Sequence, residues 1–213
     1  MKSIYSWLVL IVSITVFISS CKSSDDSSTT TSSGLFIAVG GSGTLLTSSD
    51  GTTWTAQTTG TTNALRAVAY DGSSTLVAVG YSGTILTSTD GTTWTAPWPN
   101  GTSNDINNVT YSGSAFVAVG DNGTLLNSTD GTTWNDKTSG CGMTEDMWDV
   151  HLSSSIGVII GDNGSIYSST DKGSSCTKRT SGTTVEFNEV YYGNSTFVAI
   201  GNNGTILSST NGT

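Results

Sequence analysis

Strand-length apolar runs recur along the chain from Gly34 onwards, and each is bounded by glycine, serine, threonine or asparagine. The clearest run appears in five copies: Phe36 to Gly40, Leu76 to Gly80, Phe116 to Gly120, Gly157 to Gly161 and Phe197 to Gly201. Runs of this length between turn residues indicate β-strands. Their closing glycines follow one another at intervals of about 40 residues, which is typical of propellers and stacked β arrays.

Each repeat is predicted to contain up to four strands, A to D, of which the run above is strand B. Strand A precedes it at Leu65 to Tyr70, Ile106 to Tyr111, Met147 to Leu152 and Phe187 to Tyr192. Strand C follows it at Thr44 to Thr47, Thr84 to Thr87, Thr124 to Asn127, Ser165 to Ser168 and Thr205 to Ser208. Asn-Gly or Ser-Gly pairs separate B from C, and since these residues accept positive φ, B and C should form a hairpin.

A Ser-x-Asp motif follows each strand C. In the first three copies it reads Ser-x-Asp-Gly-Thr-Thr-Trp, with Asp50 and Trp54, Asp90 and Trp94, and Asp130 and Trp134. The fourth copy has Asp171 and carries Cys176 where the tryptophan belongs, and the fifth has Asn211. The carboxylate can accept hydrogen bonds from its own turn and the glycine permits the reversal. The tryptophan is then expected to anchor strand D in the blade core.

These motifs resemble the Asp-box, or BNR, repeat of β-propellers, and the resemblance covers residues 35–213. It implies an all-β propeller of about five four-stranded blades, similar to bacterial photosystem-assembly-factor-like and sialidase-like propellers. It also implies that the motif aspartates lie on the C–D turns, away from the ligand face, and have only a structural role. Roughly 18 strands can be assigned where five closed blades need 20. Either the chain is part of a larger propeller or the ring closes imperfectly.

Composition and charge exclude several classes of function. The net charge is −9, and seven Lys and Arg residues cannot form a stripe that follows phosphates, so no nucleic-acid partner is expected. Sialidases of the Asp-box family bind their substrate carboxylate with three arginines, whereas this chain has only Arg66 and Arg179. We therefore expect neither catalytic residues nor a cofactor, and a glycoside hydrolase is the least favoured alternative.

The first 20 residues have the pattern of a signal peptide, in which Met1 and Lys2 precede an apolar run from Ile4 to Ile18. The run ends in Ile18-Ser19-Ser20-Cys21, which resembles a bacterial lipobox. This resemblance implies that Cys21 is lipidated and anchors the protein to a membrane of a bacterial cell envelope, on its periplasmic side or at the cell surface. Residues 21–33 are polar and predict a flexible tether. Residues 34–213 form the predicted propeller domain.

The remaining cysteines and the single histidine suggest local chemistry. An exported location permits a disulfide, and we expect one between Cys141 and Cys176. No metal site is expected, because the cysteines lack C-x-x-C spacing. His151 lies two residues from Asp149 on strand A, and Glu189 takes the Asp149 position in the next repeat. These three side chains fit either a proton-transfer or weak metal site in a central channel, or a hydrogen-bonded pair beside channel water.

The B–C turns and the D–A loops should share one face of a propeller, and a partner is expected there. Trp98 breaks the repeat between Pro97 and Pro99, and its indole either points outward as a stacking platform or folds back onto the neighbouring blade. The same face should carry Tyr81, Asp121, Asn122, Asp162, Asn163, Glu145 and Asp146. The sequence thus favours a non-catalytic interaction or assembly scaffold for an envelope protein. The second hypothesis is a carbohydrate-binding surface module or adhesin.

Overall fold

The computed structural model describes residues 34–98 and 101–213, so the predicted signal peptide, Cys21 and the tether lie outside the described residues. The described strands form five antiparallel sheets, one per sequence repeat, which we number units 1 to 5. Unit 1 contains β1 (Phe36–Val39), β2 (Leu45–Ser48) and β3 (Thr55–Ala56). Unit 2 contains β4 (Leu65–Tyr70), β5 (Leu76–Gly80) and β6 (Ile85–Ser88).

Units 3 and 4 are complete four-stranded sheets. Unit 3 contains β7 (Ile106–Tyr111), β8 (Phe116–Gly120), β9 (Leu125–Ser128) and β10 (Asn135–Asp136). A short helix, α1 (Thr138–Cys141), precedes unit 4. Unit 4 contains β11 (Met147–Leu152), β12 (Gly157–Gly161), β13 (Ile166–Ser169) and β14 (Thr177–Arg179), and unit 5 contains β15 (Phe187–Gly193), β16 (Thr196–Gly201) and β17 (Thr205–Ser209).

The predicted strands A and B coincide with the observed ones or differ by one residue at an end, and the strands C of units 1 to 4 begin and end one residue later than predicted. Strand D is short in the described units, and in unit 2 it is reduced to a single bridge between Thr87 and Thr95. The short α1 helix was not expected from the sequence. No helix among the described residues is long and apolar enough to cross a membrane.

The B–C turns have the backbone conformation that their sequences predict. In unit 3, Asn122 and Gly123 have φ values of 53° and 69°. The Thr124 N–H closes the turn by donating to the Asp121 carbonyl at 3.0 Å. Positive φ at both central residues is the type I′ geometry that matches the twist of a two-strand hairpin. This explains why Asn-Gly and Ser-Gly recur at these positions.

Neighbouring units stack face to face through apolar clusters. Val77 and Val79 of unit 2 are fully buried against Phe116 and Ala118 of unit 3. The motif tryptophans fill the same interfaces: Trp94 lies in the cluster between units 1 and 2, and Trp134 in the cluster between units 2 and 3. Their indole N–H groups donate to the Gly91 and Gly131 carbonyls at 3.0 and 3.2 Å. The tryptophans therefore anchor one unit against the previous one.

The glycine that closes strand B is required by the close approach of strand A. A Cβ atom at Gly80 would lie 2.1 Å from the Ala64 carbonyl oxygen, and Gly120 and Gly161 face the equivalent carbonyls of Asp105 and Asp146. Gly40, in unit 1, has no atom within 4 Å of the same point. The regular spacing of the glycines that close strand B thus reflects a contact with the start of strand A that recurs in successive units.

Candidate functional site

The B–C turns and the residues just before strand A meet at one end of the sheets, which we call the turn face. The Asp121 N–H donates to the Asp105 carbonyl at 3.0 Å. The Ser82 N–H donates to Asp105 Oδ1 at 2.9 Å, and the Asn122 N–H to Asp146 Oδ1 at 2.8 Å. Each carboxylate therefore ties the turn of one unit to the next unit. The Ser-x-Asp turns lie at the opposite end, because strand C runs away from the turn face.

A bulge near the start of each described strand A directs one side chain out of the normal alternation. The strand pairing shifts between Leu65 and Ala67, and the same shift recurs in units 3, 4 and 5. The bulged residues are Arg66, Asn107, Trp148 and Asn188. A bulge of this kind re-aims a side chain without interrupting the rest of the strand.

Three of these bulged side chains donate a hydrogen bond to the residue that follows strand B in their own unit. Arg66 Nη2 donates to the Tyr81 hydroxyl at 2.8 Å. Asn107 Nδ2 donates to Asp121 Oδ1 at 2.9 Å, and it also reaches the Met147 carbonyl of unit 4 at 2.9 Å. Trp148 Nε1 donates to Asp162 Oδ1 at 2.6 Å. In units 2, 3 and 4 the bulge thus places one polar pair of differing chemistry on the turn face.

Two of these pairs meet around the Arg66 guanidinium. Its Cζ atom lies 4.5 Å from the centre of the Tyr81 ring and 5.6 Å from the centre of the Trp148 ring, so units 2 and 4 contact one another here. Tyr81 is 40% exposed, and Arg66 and Trp148 are half-buried. We call Arg66, Tyr81, Trp148 and Asp162 the Arg66 cluster. It presents a cation, two aromatic rings and a carboxylate to the solvent side of the turn face, a combination suited to binding polar and aromatic groups.

Further carboxylates lie near this cluster, and they affect the pKa of Asp121. Burial raises the pKa of Asp121, and repulsion from Asp146 and Asp105 acts in the same direction. The hydrogen bond from Asn107 and the charge of Arg66 oppose this rise. The turn face is therefore acidic around the Arg66 cation, and its carboxylates are partly engaged in holding the turns.

Two residues predicted for the ligand face have other contacts. Trp98 is half-buried and packs against the apolar cluster between units 2 and 3. Its ring covers the Gly101 backbone, where a Cβ atom would lie 1.9 Å from Cε2. The indole is thus folded back, and the outward platform is not what the structure shows. Glu145 forms an ion pair with Lys178 at 2.9 Å, and this bond lowers the pKa of Glu145 to about 2.

The predicted Asp149 and His151 pair is separated in the structure. Asp149 is 6% exposed, and its carboxylate accepts the Val150 and Val190 N–H groups at 2.8 and 2.7 Å. The carboxylate therefore joins β11 of unit 4 to β15 of unit 5, and burial raises its pKa to about 7. His151 stacks on Tyr191 with ring centres 4.9 Å apart. No hydrogen bond joins Asp149 to His151 in the described part of the chain.

The motif aspartates are engaged by their own turns. Asp50 Oδ1 accepts the Thr52 and Thr53 N–H groups, both at 2.8 Å, and the Ser48 hydroxyl at 2.9 Å. The bond from the Thr53 N–H, followed by that from Thr52, holds the pKa of Asp50 well below its usual range. Equivalent contacts recur at Asp90, Asp130 and Asp171.

Cys141 and Cys176 form a disulfide with their Cα atoms 4.7 Å apart. It ties helix α1 to the residue before β14. Among residues 34–98 and 101–213, no group of three or more His, Cys, Asp or Glu side chains is arranged to hold a metal ion.

Two solved structures of YCF48 resemble the chain. The first, described as YCF48 bound to D1 peptide, has a TM-score of 0.65 and 17% identity over 83% of this chain. The second, YCF48 from Cyanidioschyzon merolae, has a TM-score of 0.55 and 20% identity over 70% of this chain. The chain has a β-propeller fold. It spans 61% and 53% of the length of these two structures. No family model and no curated protein matches the sequence.

Sequence reasoning placed Tyr81, Asp121 and Asp162 on the turn face but missed their respective partners, which are Arg66, Asn107 and Trp148. The sequence of strand A did contain a signal for the bulge. Arg66 follows Leu65, and Trp148 follows Met147, before the alternation of inward-facing and outward-facing residues resumes. One extra residue between two inward-facing positions is what a bulge adds to a strand. At this bulge position the units carry an arginine, a tryptophan and two asparagines.

Proposed function

We propose that this protein is a non-catalytic interaction scaffold that binds an envelope protein at its turn face, through the Arg66 cluster. The observation that carries the proposal is the Arg66 guanidinium lying between the Tyr81 and Trp148 rings, where three repeat-breaking side chains converge. Arginine, tyrosine and tryptophan are the residue types enriched in protein-binding hot spots. One of the similar propellers is described with a bound peptide, which supports a protein partner.

The charge of the chain favours a particular kind of partner. The net charge is −9, the cluster contains the Asp162 carboxylate, and the carboxylate of Asp121 is close enough to interact with the Arg66 charge. A segment with basic groups that flank an aromatic or polar residue matches this surface, because unlike charges steer the encounter and the rings provide contact area.

A capture experiment with matched variants tests the proposal. The full chain and its Arg66→Ala and Tyr81→Ala variants are used to capture proteins from envelope extracts of the source cell. Thr89→Ala serves as the control, since Thr89 is exposed beside a Ser-x-Asp turn at the opposite end. Partners that are retained by the native chain and Thr89→Ala, and lost with both turn-face variants, would support the proposal. Capture that is unaffected by the turn-face variants would refute it.

A carbohydrate ligand is the second candidate, and the 40% exposed ring of Tyr81 favours it, because sugars stack on exposed aromatic rings. Binding to a glycan array that is lost in Tyr81→Ala, without capture of a protein, would select this alternative.

The proposed location rests on the N-terminal residues. We propose that Cys21 carries the lipid anchor and that the Ser-x-Asp turns are shortened Asp boxes. Cells fed a radiolabelled fatty acid should label the native chain and not Cys21→Ala. Equal labelling of both would refute the anchor without affecting the interaction proposal.

A further inference from the structure

A cavity of about 440 Å³ lies on the turn face between units 4 and 5. It is lined by the B–C turn of unit 4 at Asp162 and Asn163, by the B–C turn of unit 5 at Asn202 and Asn203, and by residues 184–186, which precede strand A of unit 5. We call it the unit 4–5 pocket. Asp162 also belongs to the Arg66 cluster, so the pocket adjoins the surface that we propose as the partner-binding surface.

Glu186 distinguishes the boundary between units 4 and 5 from the two boundaries before it. The residue that precedes strand A is Asp105 in unit 3, Asp146 in unit 4 and Glu186 in unit 5. The two aspartates reach back to the preceding unit, where their carboxylates accept the Ser82 and Asn122 N–H groups. An aspartate at this position therefore ties two neighbouring turns together.

The Glu186 carboxylate is directed towards its own unit instead. Its two oxygens accept the side-chain N–H groups of Asn188 and Asn202, both at 3.3 Å. In the part of the chain that the structure describes, no hydrogen bond joins Glu186 to Asn163, which is the position of Asn122 in unit 4. The turns of units 4 and 5 are thus not tied by this side chain, and the unit 4–5 pocket lies between them.

The unit 4–5 pocket offers negative charge and hydrogen-bond acceptors. The carboxylates of Asp162 and Glu186 accept one and two side-chain hydrogen bonds, respectively, which leaves lone pairs on both. The side chains of Asn163 and Asn203 form no hydrogen bond within the described residues. Among the described residues that line the pocket there is no lysine or arginine, and Val185 adds an apolar side chain. A cation with several N–H donors complements such a lining.

We propose that the unit 4–5 pocket binds an arginine side chain of the partner segment, which deepens the proposed function of the turn face and rests on it. The guanidinium donates to Asp162 from unit 4 and to Glu186 from unit 5, and its aliphatic stem packs on Val185. Arginine fits better than lysine, because its five N–H donors form a planar fork that reaches two carboxylates at once. Burial of the stem along apolar surface is normal for this side chain. A neighbouring residue of the segment then contacts the Arg66 cluster, which shares Asp162 with the pocket.

A titration with N-acetylarginine amide tests the pocket in the absence of a partner. The backbone amide signals of the isotope-labelled full chain are followed by NMR, and those of Asn163 and Asn203 are expected to shift and saturate. The uncharged isostere N-acetylcitrulline amide should bind about tenfold more weakly, because its hydrogen bonds are not charge-assisted. Equal binding of the two probes, or shifts confined to residues outside the pocket, would overturn the proposal.

Three variants of the full chain distinguish the pocket from general attraction of a cation to an acidic protein. Glu186→Gln should weaken binding of the arginine probe about fivefold, the size expected for one ion pair near the surface. Glu186→Asp keeps the charge but has the length with which Asp105 and Asp146 reach the preceding turn, so a similar loss is expected. Glu189→Gln removes the same charge from an exposed residue of β15 outside the pocket and should leave binding unchanged.

Melting temperatures confirm that each variant is folded. Native affinity in Glu186→Gln or in Glu186→Asp would contradict the proposal. A loss in Glu189→Gln as large as that in Glu186→Gln would also contradict it, since the attraction would then depend on the net charge alone.

The capture experiment separates a failure of this proposal from a failure of the proposed function. A partner that is lost with Arg66→Ala but fully retained by both Glu186 variants would refute the role of the pocket and leave the turn-face proposal intact. Capture that is unchanged in Arg66→Ala and Tyr81→Ala would refute the proposed function, and with it the assignment of the arginine to a partner segment.

Discussion

Replacement of Trp134 by alanine tests whether the motif tryptophans hold neighbouring units together. Trp134 is 7% exposed in the cluster between units 2 and 3. Burial of roughly 150–250 Å² at about 25 cal/mol per Å² corresponds to about 4–6 kcal/mol as an upper bound. Measured costs of truncating a buried tryptophan are about 3–5 kcal/mol. We therefore expect Trp134→Ala to lower the free energy of unfolding by about 4 kcal/mol.

Trp54→Ala is the matched control because it changes the same motif in a different environment. Trp54 is half-buried, and it belongs to none of the four apolar clusters found among residues 34–98 and 101–213. We expect a loss of about 1–2 kcal/mol, since less area leaves water on folding. Urea unfolding followed by far-UV circular dichroism measures both values. Equal losses for the two variants would show that the interface does not determine the role of the tryptophan.

Three further predictions concern a buried acid, the disulfide and a strand-closing glycine. Asp149 has a pKa of about 7 when folded against 3.8 for an unperturbed aspartate, so its stabilising contribution is present below pH 3.8 and is lost as the pH rises through 7; urea titrations at several pH values should show this loss in the native chain and not in Asp149→Asn. Reduction of the Cys141–Cys176 disulfide, which encloses a separation of 35 residues, should cost about 4 kcal/mol, and a melting temperature unchanged by reductant would contradict this. Gly80→Ala should lower the melting temperature strongly because of the Cβ contact described above, whereas Gly40→Ala should be nearly neutral, and similar shifts for the two would refute the steric argument.

Strand positions followed from the sequence because local signals agreed with one another. Leu76 to Gly80 and Phe116 to Gly120 are apolar runs closed by glycine, and both strands are observed with those bounds. Strand D was harder to place, because residues such as Thr95 and Asn135 are exposed and polar, and their pairing depends on a neighbouring strand. Outer strands of this kind lack a buried face that would fix their register.

The candidate site was only partly predictable. Tyr81 and Asp162 were assigned to the turn face from their positions in the turns. The contact of Arg66 with Trp148 joins residues of two different units that are far apart in the sequence, so no local pattern predicts it. The orientation of Trp98 could not be predicted from the sequence. Its two flanking prolines restrict the backbone, but they do not determine on which side the indole packs.

The bulge in strand A has an evolutionary consequence for proteins of this architecture. Most residues of an inner strand are constrained by packing, because a change on either face disturbs a neighbouring blade. Arg66, Trp148 and Asn188 are less buried than the residues packed between blades, and they already include a cation, an indole and an amide. Gene duplication of such a repeat would multiply positions at which recognition can diversify by single substitutions, while the scaffold that carries them is inherited unchanged.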